Sequence, residues 1–188
     1  IAEPHLELAK QLAVQSGVVC EDEDTWNQFV RAIAHVREAD AFIGQLVENM
    51  TNDGTIHNTA LVLFGDHYSK YLTDTDFIME MKGVDNMYSI CNTPFFIYSE
   101  KLEPRTVEKV TSSIDVLPTV ANLCNLNYNP RYALGDDAFG EGGGFVCFKD
   151  YSWIDSEMLW TPDYEGEMTS EIEARCQEVV QRLNISWE

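Results

Sequence analysis

The sequence predicts an α/β protein in which short apolar strands alternate with helices. One observation is the run Ala60-Leu-Val-Leu-Phe-Gly-Asp-His67, an apolar strand that ends in a glycine turn. A second is the segment before it, whose apolar residues recur every three or four positions, as they do on one helix face. A third is that two further short apolar runs follow, with helical patterns between them. Such alternation is typical of α/β domains, and 188 residues can build one sizeable core.

The composition excludes several classes of protein. Hydrophobic residues make up 45% of the chain and aromatic residues 11%, which excludes a disordered protein. A net charge of −20 argues against binding nucleic acid, or binding an anionic membrane through basic residues. No apolar stretch approaches the roughly 20 residues that span a bilayer, and no signal peptide is visible. The five cysteines are scattered without a Cys-x-x-Cys pair, which favours free thiols over a thiolate metal site.

The first elements follow from charge and spacing. Residues 1–20 are apolar and predict an irregular start, whereas the acidic run 21–24 favours a helix N-terminus that Asp24 or Thr25 can cap. Asn52-Asp-Gly54 predicts the helix end, and strand 60–64 follows directly. A stripe of apolar residues predicts that one face of this helix packs on a sheet: Trp26, Phe29, Val30, Ile33, Ile43, Leu46 and Val47.

The segment after the first strand alternates between loops and short elements. Residues 68–88 predict a polar loop with a short helix, which suits an active-site loop and a plain surface excursion about equally. Residues 93–98 predict a second buried strand, and Pro94 is acceptable at its start. Residues 101–111 predict a charged loop.

The remaining elements are a helix, a strand and a final helix. Asp115 is a good N-cap for a helix over 116–124, and 145–148 predict a third strand after a loop. The helix over 169–183 begins with a capping-box pattern at Thr169 or Ser170. The buried side of the first of these helices is expected to hold Leu117, Val120, Ala121 and Leu123. The apolar stripe of the second is expected to hold Ile172, Cys176, Val179, Val180 and Leu183.

Asp66 and His67 are the residues most suited to bind a metal. Ligands in an open α/β sheet bind at the carboxyl ends of strands, and this pair directly follows strand 60–64 and Gly65. A carboxylate oxygen with a neutral imidazole nitrogen suits Mn²⁺ or Zn²⁺. The alternative is that Asp66 caps a loop and His67 is simply exposed. Two ligands make half of a metal site, so the rest is expected from elsewhere.

The other histidines are weaker candidates for a functional site, and the common catalytic motifs are absent from the sequence. His35 lies within the amphipathic helix, and His57 precedes the strand at the edge opposite its carboxyl end. Two interpretations of His5 stay open: it is either a substrate contact or part of a frayed start of the chain. No Ser-His-Asp order with supporting context, G-x-S-x-G, G-x-G-x-x-G or P-loop is present.

Four stretches resemble, in order, segments of the lipoteichoic acid synthases. These are membrane-anchored phosphoglycerol transferases of the alkaline phosphatase and sulfatase superfamily. Residues 58–68 are similar to the family's T-x-h-h-h-(F/Y)-G-D-H-Y segment, in which h is an apolar residue. Residues 39–46 resemble the helix before that strand, and 92–98 the strand after it. Residues 113–123 resemble the D-h-h-P-T-h-h-x-L helix, the next most specific motif.

The resemblance implies a sulfatase/alkaline-phosphatase-like sheet flanked by helices, of which this chain holds the C-terminal portion only. Residues 1–150 would form the C-terminal half of the catalytic domain, and 151–188 an extension with an amphipathic helix. The family's threonine nucleophile, the acidic ligand beside it and the phosphate-binding Trp and Arg belong to the half upstream. No segment of this chain matches them. The chain alone is therefore predicted to hold no nucleophile and to have no turnover.

The resemblance also implies a function. The parent protein would be a metal-dependent phosphoglycerol transferase acting on lipid-linked glycerol phosphate, with Asp66 and His67 as two metal ligands and His5 as a substrate-binding residue. One divalent metal is implied, Mn²⁺ in the first place, with Zn²⁺, Mg²⁺ or Ca²⁺ as alternatives. The expected partners are the upstream half of the same catalytic domain and a lipid-linked or small phosphate or sulfate ester, without nucleic acid.

The same resemblance implies a location and leaves alternatives open. The domain would face the outside of a bacterial cell membrane, to which upstream transmembrane helices would attach it. A sulfatase or a phosphoethanolamine transferase of the same superfamily is the first alternative, since a cysteine nucleophile marks a sulfatase and threonine marks the transferases. A non-catalytic module that keeps the fold is the second alternative.

Overall fold

The computed structural model describes residues 5–184. The chain divides into two units, Ile1–Glu103 and Pro104–Glu188, and each builds its own apolar core. Both units combine helices with short strands, which confirms the predicted α/β class.

Three helices of the first unit surround its core. They are α1 (Leu6–Gln15), α2 (Glu23–Asp53) and α3 (Thr75–Lys82). The prediction of an irregular start was wrong because Leu6, Ala9 and Ala13 recur at helical spacing and pack against α2. Both alanines are completely buried, which lets the two helices approach closely.

The ends of α2 follow the expected chemistry, with one shift at the start. Asp22 is the N-cap, and its carboxylate accepts a hydrogen bond from the Thr25 amide at 2.7 Å, so the predicted caps Asp24 and Thr25 were wrong. The acidic side chains of Glu23 and Asp24 in the first turn interact favourably with the positive end of the helix dipole. Gly54 ends the helix with φ of 77°, which confirms the predicted stop.

The apolar face of α2 packs on helices rather than on a sheet, which corrects the prediction. Its buried residues lie in the first part of the helix, between Thr25 and Ala34. The predicted residues in the second part are only half-buried: Ile43, Leu46 and Val47. The core of the unit is formed by α1, α2 and α3 through Ala9, Ala13, Phe29, Val30, Ala34 and Phe77.

The two predicted strands of the first unit form one antiparallel pair. These strands are β1 (Leu61–Phe64) and β2 (Phe95–Tyr98), and their register joins Leu61 to Tyr98 and Phe64 to Phe95. The loop between them contains α3, which confirms the short helix predicted within 68–88. Asp66 and His67 therefore lie at the carboxyl end of β1.

The second unit contains α4 (Val116–Leu123), β3 (Phe145–Cys147), β4 (Trp153–Asp155), β5 (Leu159–Trp160) and α5 (Ser170–Leu183). The three strands form an antiparallel sheet in the order β3-β4-β5. Strand β3 confirms the third predicted strand, whereas the other two strands of this sheet were not predicted. They are only two or three residues long, which is too short for a periodic pattern.

Helix α5 packs on this sheet. The core consists of Phe145, Trp153, Ile172 and Val179, so residues from the predicted extension 151–188 pack against β3. The boundary near residue 150 stays a prediction. Thr169 caps α5 by accepting from the Ile172 amide at 3.3 Å, as predicted, but two members of the predicted stripe are exposed: Val180 and Leu183.

Helix α4 is rotated relative to the prediction. Pro118, Thr119 and Ala121 are buried, whereas Leu117 is 54% exposed and the prediction for it was wrong. A short 3₁₀ turn over Ser113–Asp115 precedes the helix. Asp115 is the N-cap residue of α4, as predicted. Its buried carboxylate accepts from the amides of Ser112 and Asp136 at 2.7 and 2.6 Å and makes no capping hydrogen bond to α4.

Candidate metal site

Gly65 connects β1 to the Asp66–His67 pair in a place that only glycine fits. A Cβ on this residue would lie 2.7 Å from the Cβ of Thr93. The Gly65 amide donates to the Pro94 carbonyl at 3.1 Å, and the Thr93 hydroxyl donates to the Gly65 carbonyl at 3.2 Å. Both backbone groups of Gly65 are thus bonded to the segment that leads into β2, which fixes where the chain begins Asp66.

The imidazole of His67 is held in one tautomer beside the Asp66 carboxylate. Its Nδ1 lies 2.7 Å from the carbonyl oxygen of Tyr68. Because a carbonyl only accepts, Nδ1 carries a hydrogen, so in the neutral imidazole Nε2 is the nitrogen with the free lone pair. That Nε2 lies 3.6 Å from Oδ1 of Asp66. This arrangement, with the other ring nitrogen bonded to a carbonyl, is the usual one for a metal-bound histidine.

The geometry of the pair fits a divalent cation. Oδ1 of Asp66 and Nε2 of His67 lie 3.6 Å apart, which is beyond hydrogen-bond distance. Carboxylate oxygen and imidazole nitrogen bind such ions at about 2.0–2.2 Å, so both atoms can reach one ion. The donor set therefore fits the metal that the resemblance implies.

The pair forms only part of a metal site. The side chains of Asp66 and His67 are 84% and 46% exposed. Among residues 5–184, no group of three or more His, Cys, Asp or Glu side chains could hold an ion. The structure brings the two predicted ligands together, and their metal-binding role stays a prediction.

The other three histidines lie elsewhere. His5 is half-buried at the start of α1, and its predicted role as a substrate contact stays a prediction. His57 lies beyond the opposite end of β1 and contacts the Glu100 carboxylate at 2.6 Å. His35 stacks on the ring of Tyr71 with centroids 5.3 Å apart. The last two have structural partners, in agreement with the sequence analysis.

Lys82 supports the segment that holds Gly65, and the sequence analysis missed it. Its ammonium donates to the carbonyl oxygens of Ile90 and Asn92 at 2.7 and 2.5 Å. Burial lowers the pKa of Lys82 because the charged form loses water. These bonds fix the turn directly before Thr93. No sequence signal indicated this role, since the lysine and its acceptors are eight and ten residues apart.

A small cavity lies beside the site. Its volume is about 200 Å³, and Tyr68 and Ser69, which directly follow His67, form part of its wall. The rest of the wall is mostly apolar: Phe29, Leu72, Ile78, Met81 and Lys82. The segment after Asp66 and His67 therefore borders this cavity together with residues of α2 and α3.

The chain belongs to the sulfatase family. A sequence model of that family, described as Sulfatase, matches residues 2–126, which is more than half of the chain. The match includes Asp66 and His67. This family membership confirms the superfamily predicted from the sequence motifs.

Two curated relatives are named for lipoteichoic acid synthesis. The protein called Lipoteichoic acid synthase-like YvgJ, from Bacillus subtilis (strain 168), is 23% identical over 140 residues, or 70% of this chain and 23% of the relative. Lipoteichoic acid synthase 2 from the same organism is 24% identical over 103 residues, or 52% of this chain and 16% of the relative. The matched part of the chain thus spans less than a quarter of the length of either relative. Within residues 5–184, the helices fall short of the length or apolar character needed to cross a membrane.

Proposed function

We propose that this chain is part of a metal-dependent phosphoglycerol transferase that acts on lipid-linked glycerol phosphate. The observation that carries the proposal is the facing pair of Asp66 Oδ1 and His67 Nε2, 3.6 Å apart at the end of β1. The names of the two curated relatives support the choice of phosphoglycerol over other phosphate or sulfate esters.

Asp66 and His67 would hold one divalent ion. Their oxygen and nitrogen donors suit Mn²⁺ or Zn²⁺, and Mn²⁺ is the first choice because the resemblance to the lipoteichoic acid synthases implies it. Such an ion, when bound, neutralises phosphoryl oxygens as a Lewis acid. The protein's own residues orient the donors. The bonds of Gly65 to Thr93 and Pro94 position the chain, and the Tyr68 carbonyl accepts from Nδ1 of His67, which leaves Nε2 as the nitrogen that faces Asp66.

The nucleophile and the remaining metal ligands would come from a segment upstream of residue 1. Upstream transmembrane helices would attach the parent protein to a bacterial cell membrane, with this domain on the extracellular face. We therefore expect no turnover from the 188-residue chain alone, because residues 5–184 offer no third metal ligand beside the pair.

Turnover of a fluorescent phosphatidylglycerol analogue tests the proposal. We expect activity with Mn²⁺ in the protein extended by its upstream residues and none in the 188-residue chain. Asp66→Ala should abolish this activity, whereas Asp163→Ala, which removes an exposed carboxylate of the second unit, should leave it unchanged.

Other substrates separate the alternatives. Turnover of a phosphoethanolamine lipid or a sulfate ester, in place of phosphoglycerol, would contradict the proposed substrate while leaving the family intact. Activity of the 188-residue chain that Asp66→Ala abolishes would contradict the predicted need for an upstream half. The absence of all turnover in the extended protein would favour a non-catalytic module.

A further inference from the structure

The cavity beside Asp66 and His67 reaches into the apolar core of the first unit. Its volume is about 200 Å³, and its wall is formed by α2, by α3 and by the loop between β1 and α3. Two wall residues are almost completely buried, since Phe29 is 7% and Ile78 4% exposed. A third, Leu72 of the loop, packs against the core cluster that contains Phe29. The cavity is therefore bounded by well-packed apolar side chains.

The loop that forms part of the wall is fixed at both ends. At its start, the amide and carbonyl of Gly65 are hydrogen-bonded to the segment before β2. At its end, the amide and hydroxyl of Thr73 donate to Oε1 of Gln28 on α2, at 2.9 and 3.2 Å. Between these points, Tyr71 stacks on His35 of α2. The loop cannot close the cavity without breaking these contacts, so the space stays available to a ligand.

The wall offers no free charge to that ligand. Among the described residues that form it, Lys82 alone is charged at neutral pH. Its ammonium donates to the carbonyl oxygens of Ile90 and Asn92 at 2.7 and 2.5 Å, so it is already engaged. A ligand segment that enters the cavity therefore gains by burying apolar surface and not by forming an ion pair. This chemistry fits a hydrocarbon.

The volume of the cavity limits the length of that hydrocarbon. An engineered apolar cavity of about 150 Å³ holds a benzene ring, which has six carbons. In the same proportion, about 200 Å³ holds about eight carbons. Sites that enclose a whole small molecule are larger, at about 300–1,000 Å³. The cavity therefore suits one part of a larger ligand that continues outside it.

The cavity and the Asp66–His67 pair are neighbours along the chain. Tyr68 belongs to the wall, and its carbonyl oxygen accepts from Nδ1 of His67. Because neighbouring Cα atoms are about 3.8 Å apart, a ligand whose hydrocarbon lies against Tyr68 has its next atoms close to His67. A lipid-linked phosphate ester combines an alkyl chain and a phosphate at such short range.

We propose that the cavity binds about eight carbons of one alkyl chain of the lipid-linked substrate, while Asp66 and His67 face the phosphate of the same molecule. The proposal rests on the proposed function, because that function supplies a substrate with both parts. The cavity then explains why a lipid ester is preferred over a water-soluble ester of the same headgroup. The alternative occupant is an apolar side chain from another part of the polypeptide.

A series of alkyl phosphates tests the cavity in the 188-residue chain without metal. Isothermal titration calorimetry measures their dissociation constants. We expect about fourfold tighter binding for each methylene added from butyl to octyl phosphate, because each one is buried. Beyond about eight carbons the affinity should level off, because the rest of the chain leaves the cavity. A steady gain up to dodecyl phosphate, or no dependence on chain length, would overturn the proposal.

Two matched substitutions show whether the binding occurs in this cavity. Met81→Trp fills the space from the wall and should weaken octyl phosphate binding more than about tenfold, the equivalent of about two buried methylenes. Met87→Trp makes the same change at an exposed methionine outside the wall and should leave binding unchanged. Ser69→Phe, at an exposed wall residue, is a second filling variant in case Met81→Trp does not fold. Equal binding by the filling variants and Met87→Trp would contradict the proposal.

The protein extended by its upstream residues separates this proposal from the proposed function. There, Mn²⁺ should strengthen the binding of octyl phosphate and leave that of octanol unchanged. Binding of both with phosphoglycerol turnover absent would support the alkyl site and contradict the proposed function. Turnover of the lipid at an unchanged rate in Met81→Trp would support the function and overturn the alkyl site. Loss of octanol binding on extension of the chain would mean that a side chain fills the cavity, which would also overturn the proposal.

Discussion

Replacing Gly65 with alanine should destabilise the first unit and displace Asp66 and His67. The new Cβ would lie 2.7 Å from the Cβ of Thr93 and 3.1 Å from both its methyl group and its hydroxyl. Since Cβ atoms do not approach so closely, the turn after β1 must move away from β2. Forced overpacking of this kind costs about 1–3 kcal/mol. The movement also weakens two hydrogen bonds of Gly65, each worth about 1 kcal/mol.

The entropy of the unfolded chain offsets part of this cost. Replacing glycine by alanine stabilises by about 0.4–1 kcal/mol where the alanine fits. We therefore expect Gly65→Ala to lower the free energy of unfolding by about 2–3 kcal/mol. Urea unfolding followed by circular dichroism measures this. Gly44→Ala is the matched control, because nothing lies within 4 Å of its new Cβ on α2. Gly44→Ala should stabilise the first unit by about 0.5–1 kcal/mol. The unfolding transition that this control shifts is therefore the transition of the first unit.

A double-mutant cycle shows whether Thr93 is the cause. Thr93→Gly removes the Cβ that Gly65→Ala would meet, so the two changes together should cost at least about 1 kcal/mol less than their sum. Thr93→Ala keeps that Cβ and should not rescue. The reasoning is refuted if Gly65→Ala is as stable as the parent chain, or if both changes at Thr93 rescue equally.

Three further predictions concern stability. Asp115→Ala leaves two backbone amides without their buried carboxylate acceptor and should lower the unfolding free energy of the second unit by about 2–4 kcal/mol. The control Asp163→Ala should lower it by less than about 0.5 kcal/mol. Urea unfolding measures both variants, and equal effects would contradict the role assigned to Asp115. Lys82→Met leaves two carbonyls without a donor and should speed the hydrogen exchange of the amides in the turn before β2. Unchanged exchange would contradict the role assigned to Lys82. Burial raises the pKa of Cys147 above its usual 9.0, so its contribution to stability is present below pH 9.0 and lost as the pH rises through the folded-state pKa. Cys147→Ala should reduce this alkaline loss, whereas Cys124→Ala, at an exposed thiol, should not, and identical pH profiles would contradict the prediction.

The elements that the sequence predicted well are those with strong local signals. Strand β1 is a continuous apolar run, Gly54 is a left-handed helix end, and Thr169 is a side-chain N-cap. Each depends on neighbours within a few residues. Helix α1 was missed because its buried face consists largely of alanines, and the partner of α2 could not be predicted because packing depends on distant residues.

The candidate site shows the same division. The positions of Asp66 and His67 after an apolar strand could be predicted, since both follow from adjacent residues. The contact of Gly65 with Thr93 could not, because it joins residues 28 positions apart through the antiparallel pairing of β1 with β2. The tautomer of His67 depends on the local turn at Tyr68, which no periodic pattern predicts.

Titration with Mn²⁺ of the protein extended by its upstream residues tests the central claim most directly. We expect one ion to bind per chain, with binding lost in Asp66→Ala and in His67→Gln and retained in Asp163→Ala. The claim is contradicted if neither Mn²⁺ nor Zn²⁺ binds, or if Asp66→Ala binds the ion as tightly as the unsubstituted protein.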